Sequence, residues 1–221
     1  MTHALIFDLD GTLVDSVYAH IFAWQEALAE AGMAIDGWRI HRRIGMSGGL
    51  FARAVGRELG YELTDEQQKS LKKRHGELYL QYLPHPRPLP GAVEVLEYCR
   101  SKKVPHAIAT SGEREDIKAA LKSLGVADET LVVTHAEVKR AKPEPDLFLY
   151  CQKKLGMKVE DCYVIGDAVW DILAARRANM LSVGLLSGGY GADELSQAGA
   201  FRVYRDTEEL RHSLDELGVL P

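Results

Sequence analysis

The segment ALIFDLDGTLVDS at residues 4–16 constrains the fold of this chain more than any other stretch. It begins as a short, uninterrupted apolar run without helix-capping residues, which is typical of a buried strand in a parallel sheet. The run ends in two carboxylates at alternate positions, Asp8 and Asp10, followed by Gly11, which permits a sharp backbone turn. Because parallel α/β sheets bind ligands at the carboxyl ends of their strands, the two acids are predicted to face a ligand.

The Asp8–Asp10 pair can be interpreted in two ways. Two nearby carboxylates repel each other, and a divalent cation that prefers oxygen ligands, such as Mg²⁺, would relieve that repulsion. An Asp-Gly turn after a strand is also common in proteins where it has no catalytic role. These residues alone favour neither interpretation, so the choice depends on what the other strand ends carry.

Residues 16–85 are predicted to be entirely helical, because apolar residues recur there at helical spacing and no convincing strand occurs. One helix is predicted directly after Asp15, and others near 48–59 and over 65–83. Thr64 and Gln67 are spaced for a capping box at the start of the last of these helices. A proline-rich connector follows and cannot continue the helix.

Strands and helices alternate after residue 86. The predicted strands cover residues 104–109, 130–133, 162–165 and 181–185, the predicted helices cover 91–102, 113–124, 145–155 and 169–178, and a final strand and helix follow residue 201. This alternation is typical of a parallel sheet with right-handed crossovers. Because structureless loops as long as residues 16–85 are rare in compact domains, that stretch is predicted to be an inserted helical domain. Its position after the first strand places it as a lid over Asp8 and Asp10.

Two further polar segments lie beside the predicted sheet. Thr110 and Ser111 follow a strand and precede a helix, where hydroxyl and free backbone N–H groups can bind an anion. A Ser or Thr in this position is more often only an N-cap. Lys142 precedes Pro143, and this restraint would hold one ammonium charge against a phosphate and the acidic pair.

A second acidic strand end occurs at Gly166 and Asp167, directly after the apolar strand 162–165. Asp171 follows on the first turn of the next helix, where the helix dipole favours a carboxylate in any case. Asp167 has no such local stabilisation. The ends of two predicted strands therefore carry aspartates, and in a parallel sheet these ends share one edge.

These segments together resemble the four motifs of the haloacid dehalogenase superfamily, a large group of mostly Mg²⁺-dependent phosphatases. The string beginning at Asp8 resembles the first motif, Thr110 the second, the Lys-Pro-x-Pro-Asp run from Lys142 the third, and the GDxxxD pattern ending at Asp171 the fourth. They occur in the order that the superfamily has. The resemblance implies an α/β fold: a Rossmann-like parallel-sheet core, residues 1–15 plus 86–221, with an inserted all-helical cap domain, residues 16–85.

The resemblance also implies roles for the acidic residues. Asp8 would attack phosphorus and form a covalent aspartyl-phosphate, while Asp10 would protonate the leaving group and later deprotonate the attacking water. Mg²⁺ would be bound by Asp8, the Asp10 backbone carbonyl and Asp167, with Asp171 supporting it through water. The implied activity is that of a phosphomonoester phosphatase acting on a small phosphorylated metabolite.

Contacts to the substrate are expected from both parts of the chain. The resemblance implies that the core holds the transferring phosphoryl group and that one cap loop faces the site. Phosphoglycolate phosphatases are the nearest resemblance among hydrolases, and sugar phosphates are also possible substrates. The residues expected to contact substrate are Thr110, Ser111 and Lys142 in the core, with Arg42, Arg43 and the loop starting at Gly45 in the cap.

β-Phosphoglucomutase, an isomerase of the same superfamily, is the alternative. Its opening pattern also matches Asp8, Asp10, His20 and Trp24. Its cap carries a Lys-Gly-x-x-Arg signature, whereas residues 44–48 of this chain read IGMSG and lack both cations. Its fourth motif also has Glu-Asp in place of Gly-Asp, so the phosphatase is favoured. His20 is interpreted as a packing residue, with a supporting role for the acid left open.

Composition limits the partners and the compartment. The net charge is −5 and no basic run occurs, so a nucleic-acid partner is not expected. Cys99, Cys151 and Cys162 form no CxxC pair and are interpreted as reduced core residues. No apolar stretch approaches the roughly 18 residues of a membrane span, and the first strand leaves no room for a signal peptide. We therefore expect a soluble, cytoplasmic enzyme.

Overall fold

Six strands form a parallel sheet in the computed structural model, which describes residues 3–219. The strands run in the order β3-β2-β1-β4-β5-β6, and every neighbouring pair is parallel. This is the doubly wound order of Rossmann-like folds, so the predicted α/β class is confirmed. The strands are β1 (Ala4–Phe7), β2 (His106–Ala109), β3 (Leu131–Val133), β4 (Cys162–Gly166), β5 (Leu181–Leu185) and β6 (Arg202–Tyr204).

Both faces of the sheet are buried, which accounts for the uninterrupted apolar run in β1. Leu5 and Phe7 pack into the hydrophobic cluster on one face, and Ala4 and Ile6 pack into the cluster on the other. All four side chains are fully buried. Alternate side chains of a strand point to opposite faces, so a strand covered on both sides needs apolar residues at every position.

Directly after β1, and before α5 (Ala92–Ser101) and β2, the chain forms four helices. They surround a hydrophobic cluster of their own, which includes Trp24, Ile40, Phe51 and Leu71. Thr64 and Gln67 form the predicted capping box, with both reciprocal hydrogen bonds present. We call this stretch, residues 17–82, the helical segment. Its helices are α1 (Val17–Glu30), α2 (Gly37–His41), α3 (Gly48–Glu58) and α4 (Asp65–Tyr82).

The remaining helices cover the sheet, and several bounds differ from prediction. α6 begins at Lys118 instead of residue 113, because Glu113–Ile117 form turns in place of regular helix. The short helices α2 and α9 were not predicted; each spans two turns or fewer, too short for apolar periodicity to show. Residues 1–2 and 220–221 of the predicted core lie outside the described residues. The helices are α5 (Ala92–Ser101), α6 (Lys118–Ser123), α7 (Asp146–Leu155), α8 (Val169–Arg177), α9 (Ala192–Ala198) and α10 (Thr207–His212).

The three cysteines are free and buried, as the sequence predicts. Burial raises the pKa of the Cys99 thiol to about 12, so this group stays protonated. Among residues 3–219, a helix with the length and apolar character needed to cross a bilayer is absent.

Candidate active site

The carboxyl ends of β1 and β4 form the base of the site. β2 and β3 lie on one side of this pair and β5 and β6 on the other, which makes it the switch point where doubly wound sheets bind ligands. Asp8 follows β1 and Asp167 follows β4. The Asp8 N–H group donates to the Ile165 carbonyl at 2.8 Å. The first and fourth sequence motifs therefore meet in space.

An acidic cluster occupies this base. Asp8, Asp167 and Asp171 are buried, and each offers a carboxylate oxygen within 4.8 Å of the others. The Lys142 ammonium group forms an ion pair with Asp8 and lies 2.8 Å from Asp171 Oδ1, although that oxygen accepts no hydrogen bond from the described residues. Lys142 is only 1% exposed. We call these four residues the floor.

Three buried carboxylates share a single ammonium group on the floor. Burial raises the pKa of Asp8; Lys142 opposes this rise, and Asp171 and Asp10 add to it. Burial also raises the pKa of Asp167 well above its usual range, with further repulsion from Asp171 and Asp8. These carboxyl groups therefore resist ionising together unless a further cation is present, and their donors are the hard oxygen atoms that Mg²⁺ prefers.

Close backbone packing fixes the position of Asp167. Thr12 Oγ1 donates to Asp167 Oδ1 at 2.9 Å. Gly188, in the turn after β5, approaches so closely that a Cβ there would overlap the carboxylate. Gly11 adopts φ 79°, and its carbonyl accepts a hydrogen bond of 2.6 Å from Ser187 Oγ. Sequence reasoning gave Thr12, Ser187 and Gly188 no role, although a Ser-Gly-Gly turn at a strand end was a usable signal.

Asp10 stands apart from the acidic cluster. Its Oδ1 accepts a hydrogen bond from Ser16 Oγ at 2.6 Å and lies 3.1 Å from His20 Nε2. Burial opposes ionisation, but the charge and hydrogen bond of His20, together with Ser16 and Lys142, bring the pKa of Asp10 to about 2. The carboxylate of Asp10 is therefore ionised and oriented from the side of the helical segment.

Thr110 lies beside Asp10, and Ser111 connects the core to the helical segment. Thr110 is buried, and its Oγ1 accepts a hydrogen bond of 2.9 Å from the Gly112 N–H group. Its hydroxyl lies 3.5 Å from Asp10 Oδ2. Ser111 Oγ donates to the Gly45 carbonyl at 3.3 Å. Thr110 thus accepts a hydrogen bond from a backbone N–H group, as an N-cap residue does, and also lies beside Asp10.

A cavity lies between the strand ends and the helical segment. Asp167, Asp171 and Arg42 do not line it, but the other predicted site residues do, namely Asp8, Asp10, Thr110, Ser111, Lys142, Arg43 and Gly45. The structure brings them together from segments far apart in the chain. We call the lining contributed by the helical segment the roof, which consists of His20, Trp24, Arg43, Ile44, Gly45, Met46, Gly48, Phe51, Lys72, His75 and Tyr79.

The two neighbouring arginines of the roof loop point in different directions. Arg43 lines the cavity, but its guanidinium group forms an ion pair with Glu58. Arg42 is outside the cavity lining, contrary to expectation, because it pairs with Glu194 at 2.8 Å and stacks on Tyr190. Both guanidinium groups are therefore already engaged by carboxylates of the chain.

Several lining residues were missed by sequence reasoning. His75 Nε2 lies 3.1 Å from His20 Nδ1, and the His75 ring stacks on Trp24. Lys72 and Asp116 also line the cavity. The sequence offered no signal for any of them, because α4 reads as an ordinary polar helix and Asp116 falls within the predicted helix 113–124, where an acid is unremarkable.

This combination of fold and strand-end acids has counterparts among known proteins. A family model described as haloacid dehalogenase-like hydrolase matches residues 2–179. The chain belongs to this family. The motif order, the sheet order and the acidic base of the site all agree with the predicted superfamily, which is thereby confirmed.

Relatives of this haloacid dehalogenase-like hydrolase span closely related activities. A solved hydrolase from Pseudomonas syringae is 47% identical, with a TM-score of 0.93 over 97% of this chain and 99% of that one. Fructose-1-phosphate phosphatase YqaB of Escherichia coli is 33% identical, covering 81% of this chain and 94% of its own. The β-phosphoglucomutase of Bacillus subtilis is 28% identical, covering 94% and 91%. The chain is thus a phosphohydrolase of this family.

Proposed function

We propose that this chain is a Mg²⁺-dependent phosphatase that hydrolyses a small phosphorylated metabolite through a covalent intermediate on Asp8. The observation that carries the proposal is the floor, where Asp8 lies at the base of the cavity beside Lys142 and two further carboxylates. A nucleophilic carboxylate next to a cation at the switch point of a doubly wound sheet suits phosphoryl transfer.

The donor set of the floor fits Mg²⁺. Asp8 and Asp167 would bind the ion together with the backbone carbonyl of Asp10, and Asp171 would support it from within the same cluster. Their mutual repulsion, which Lys142 alone does not offset, supports a divalent cation. When bound, Mg²⁺ would supply positive charge to the transferring phosphoryl group.

In the first step, a carboxylate oxygen of Asp8 attacks phosphorus and the ester P–O bond breaks. Asp10 gives the leaving oxygen its proton. Although the pKa of Asp10 is about 2 without ligand, an incoming phosphate dianion adds negative charge nearby and raises it. Asp10 would thus take up a proton as substrate binds.

In the second step, water attacks the phosphorus of the aspartyl-phosphate and the bond to Asp8 breaks. Asp10, now ionised, accepts the proton of that water, and inorganic phosphate and free Asp8 result. Lys142, Thr110 and the N–H groups near Ser111 would orient the phosphoryl oxygens in both steps, because they lie beside Asp8 in the cavity.

We further propose that residues 16–85 act as a cap domain over the core of residues 1–15 and 86–221. Their separate hydrophobic cluster supports this division. Polar contacts join the two parts around the cavity, including Ser111 to Gly45 and Lys72 to Glu113. A closed cap would exclude bulk water from the floor and strengthen its electrostatic interactions. Arg43 and Gly45 would then contribute to the shape of the substrate cavity.

The alternative, a β-phosphoglucomutase-like isomerase, is less well supported. Such an enzyme must hold a second phosphate while a sugar bisphosphate reorients. Residues 44–48 provide no cation, and the Arg43 guanidinium group is paired with Glu58. With β-glucose 1-phosphate and a bisphosphate activator, we expect phosphate release to exceed glucose 6-phosphate formation. The reverse order of rates would favour the isomerase.

The direct test is hydrolysis of p-nitrophenyl phosphate with Mg²⁺ and after exhaustive chelation. Removal of the metal should lower kcat at least about a hundredfold, since a Lewis acid contributes several kcal/mol to such transition states. A burst of p-nitrophenol before steady state would report the covalent intermediate. Activity that chelation leaves undiminished would contradict the metal assignment.

A further inference from the structure

The cavity beyond the floor has one apolar wall. Trp24 and Phe51 stack with their ring centroids 4.2 Å apart, and Ile44 and Met46 extend this surface. Ile117, from the turn before α6, lines the cavity as well. A wall of this kind accommodates the carbon skeleton of a leaving alcohol, including the C–H face of a sugar ring, without offering it a charge.

Every lysine and arginine that lines the cavity is already paired within residues 3–219. Lys72 Nζ lies 2.5 Å from Glu113 Oε1 and 2.9 Å from His135 Nε2. Arg43 pairs with Glu58, and Lys142 belongs to the floor. Burial lowers the pKa of His75 well below its usual range, so this ring is neutral. Among the described residues, the region beyond the floor therefore has no free lysine or arginine for a second anionic group of the substrate.

Asp116, an acid in the same region, is the opposite case. It lies in the turn before α6, is half-buried and lines the cavity. Within the described part of the chain its carboxylate has neither an ion pair nor a side-chain hydrogen bond. The carboxylate faces α4, where a Cβ on Gly76 would lie 3.2 Å from Oδ2. Burial raises the pKa of Asp116, and the nearby Glu113 and Asp10 add to this rise, while His20 and Lys72 oppose it.

We propose that this cavity selects phosphate monoesters whose leaving alcohol is uncharged or cationic, with Asp116 as the specificity-determining residue. Asp116 accepts a hydrogen bond from a hydroxyl or ammonium group of the leaving alcohol, while the wall around Trp24 contacts its carbon skeleton. A leaving alcohol that carries a carboxylate or a second phosphate is rejected, because it places a like charge near an unpaired acid. The inference rests on the proposed phosphatase function, and it disfavours phosphoglycolate as a substrate.

The test uses two series of phosphate esters matched in size and differing in charge. One series is glucosamine 6-phosphate, glucose 6-phosphate and 6-phosphogluconate; the other is 2-aminoethyl phosphate, 2-hydroxyethyl phosphate and 2-phosphoglycolate. For the Mg²⁺-loaded full chain, kcat/KM is measured for each, together with Ki against p-nitrophenyl phosphate hydrolysis. In both series the anionic member should be at least about tenfold worse than the neutral one by either measure, as one repulsive contact can cause.

Two variants that each remove one acidic group assign the effect to a position. Asp116→Asn should reduce the neutral-to-anionic ratio to within about threefold, because the repulsive charge is gone. Glu115→Gln is the matched control, since Glu115 is adjacent, exposed and paired with Lys118. It should leave the ratio at the wild-type value. Circular dichroism of each variant checks folding. The neutral-to-anionic ratios of the wild-type protein test charge selection even if a variant fails to fold.

Each outcome separates the two proposals. Anionic members that match or exceed the neutral ones would overturn charge selection, while an unchanged ratio in folded Asp116→Asn would overturn the role of Asp116. Absence of p-nitrophenyl phosphate hydrolysis would overturn the phosphatase proposal by itself. In that case calorimetric Kd values for the six esters test charge selection directly, and equal Kd values would reject it.

Discussion

The floor and the roof of the cavity are built on different physical principles. The floor brings together Asp8, Lys142, Asp167 and Asp171, all buried and all charged or polar, from separate points along the chain. The roof comes from one contiguous segment, and its contacts are aromatic stacking and partly exposed ion pairs. A buried charge depends on every partner, whereas exposed pairs contribute little individually. We therefore expect substitutions in the floor to have large effects and those in the roof to have graded ones.

The largest expected effect is that of Asp8→Asn. An amide is a far weaker nucleophile, so kcat should fall at least about a thousandfold, the scale of losing a nucleophile in other enzymes. The fold should persist because the side chain keeps its shape. Asp15→Asn, an exposed acid in the same motif, is the control and should retain full activity. If Asp8→Asn keeps a tenth of wild-type kcat, Asp8 is not the nucleophile.

The next effect is on stability, through Lys142→Met. The substitution leaves the buried carboxylates of Asp8 and Asp171 without their ammonium partner, and should lower the free energy of unfolding by about 3–5 kcal/mol. Urea denaturation measures this loss. Lys139→Met, at an exposed position, should change it by less than about 0.5 kcal/mol. A loss for Lys142→Met as small as that of the control would mean that the floor is not electrostatically dependent on this lysine.

A smaller effect is expected in the roof for Lys72→Met. Lys72 joins α4 to Glu113 in the core, and both side chains are partly exposed, so the pair should contribute no more than about 1 kcal/mol. We expect KM to rise about two- to fivefold, with little change in kcat. Lys73→Met, on the same helix but 81% exposed, should change neither constant. A loss in kcat as large as that of a floor variant would erase the distinction between the two regions.

The smallest effect is the pH dependence of stability that arises from Glu137. This residue lies in the same turn as His135, which contacts Lys72. Burial opposes ionisation of Glu137 there, but hydrogen bonds from Thr134 and Arg114 outweigh it and bring its pKa to about 2, below the ordinary 4.5. Its contribution to stability is therefore present above pH 4.5 and lost as pH falls from 4.5 toward 2.

Because Glu137 is partly exposed and its partner Arg114 is more than half exposed, solvent screens the pair, and that contribution should stay below about 1 kcal/mol. Acid titration of the unfolding free energy, compared with Glu137→Gln, measures it. The variant should lack this part of the loss and be less stable than the wild type near neutral pH. Identical profiles for the two proteins would show that the carboxylate contributes nothing.

The residues of the floor could be predicted from the sequence because the motifs mark strand ends. An apolar strand that runs directly into Asp8, or into Gly166 and Asp167, is a specific local signal, and parallel strands bring such ends to one edge. The geometric clustering of Asp8, Asp167 and Asp171 agrees with that expectation. The chemical roles of these residues, and the division at residues 16 and 85, stay predictions.

The residues of the roof could not be predicted in the same way. Arg42 and Arg43 were both expected at the site, yet only Arg43 lines the cavity, because a single residue step along a tight turn reverses the direction of a side chain. Lys72 and His75 lie on a helix whose polar positions look equivalent in the sequence. Which of them faces the cavity depends on how α4 packs against α1.

The sequence by itself determined the α/β class, the family and the acidic strand ends, because strand burial and motif spacing are local properties of the chain. Only the tertiary structure decided that Gly188 packs against Asp167, and that Asp116 lines the cavity without an ion pair among the described residues. These are contacts between distant segments. They depend on the three-dimensional packing of helices and turns on the sheet, which no local pattern of residues encodes.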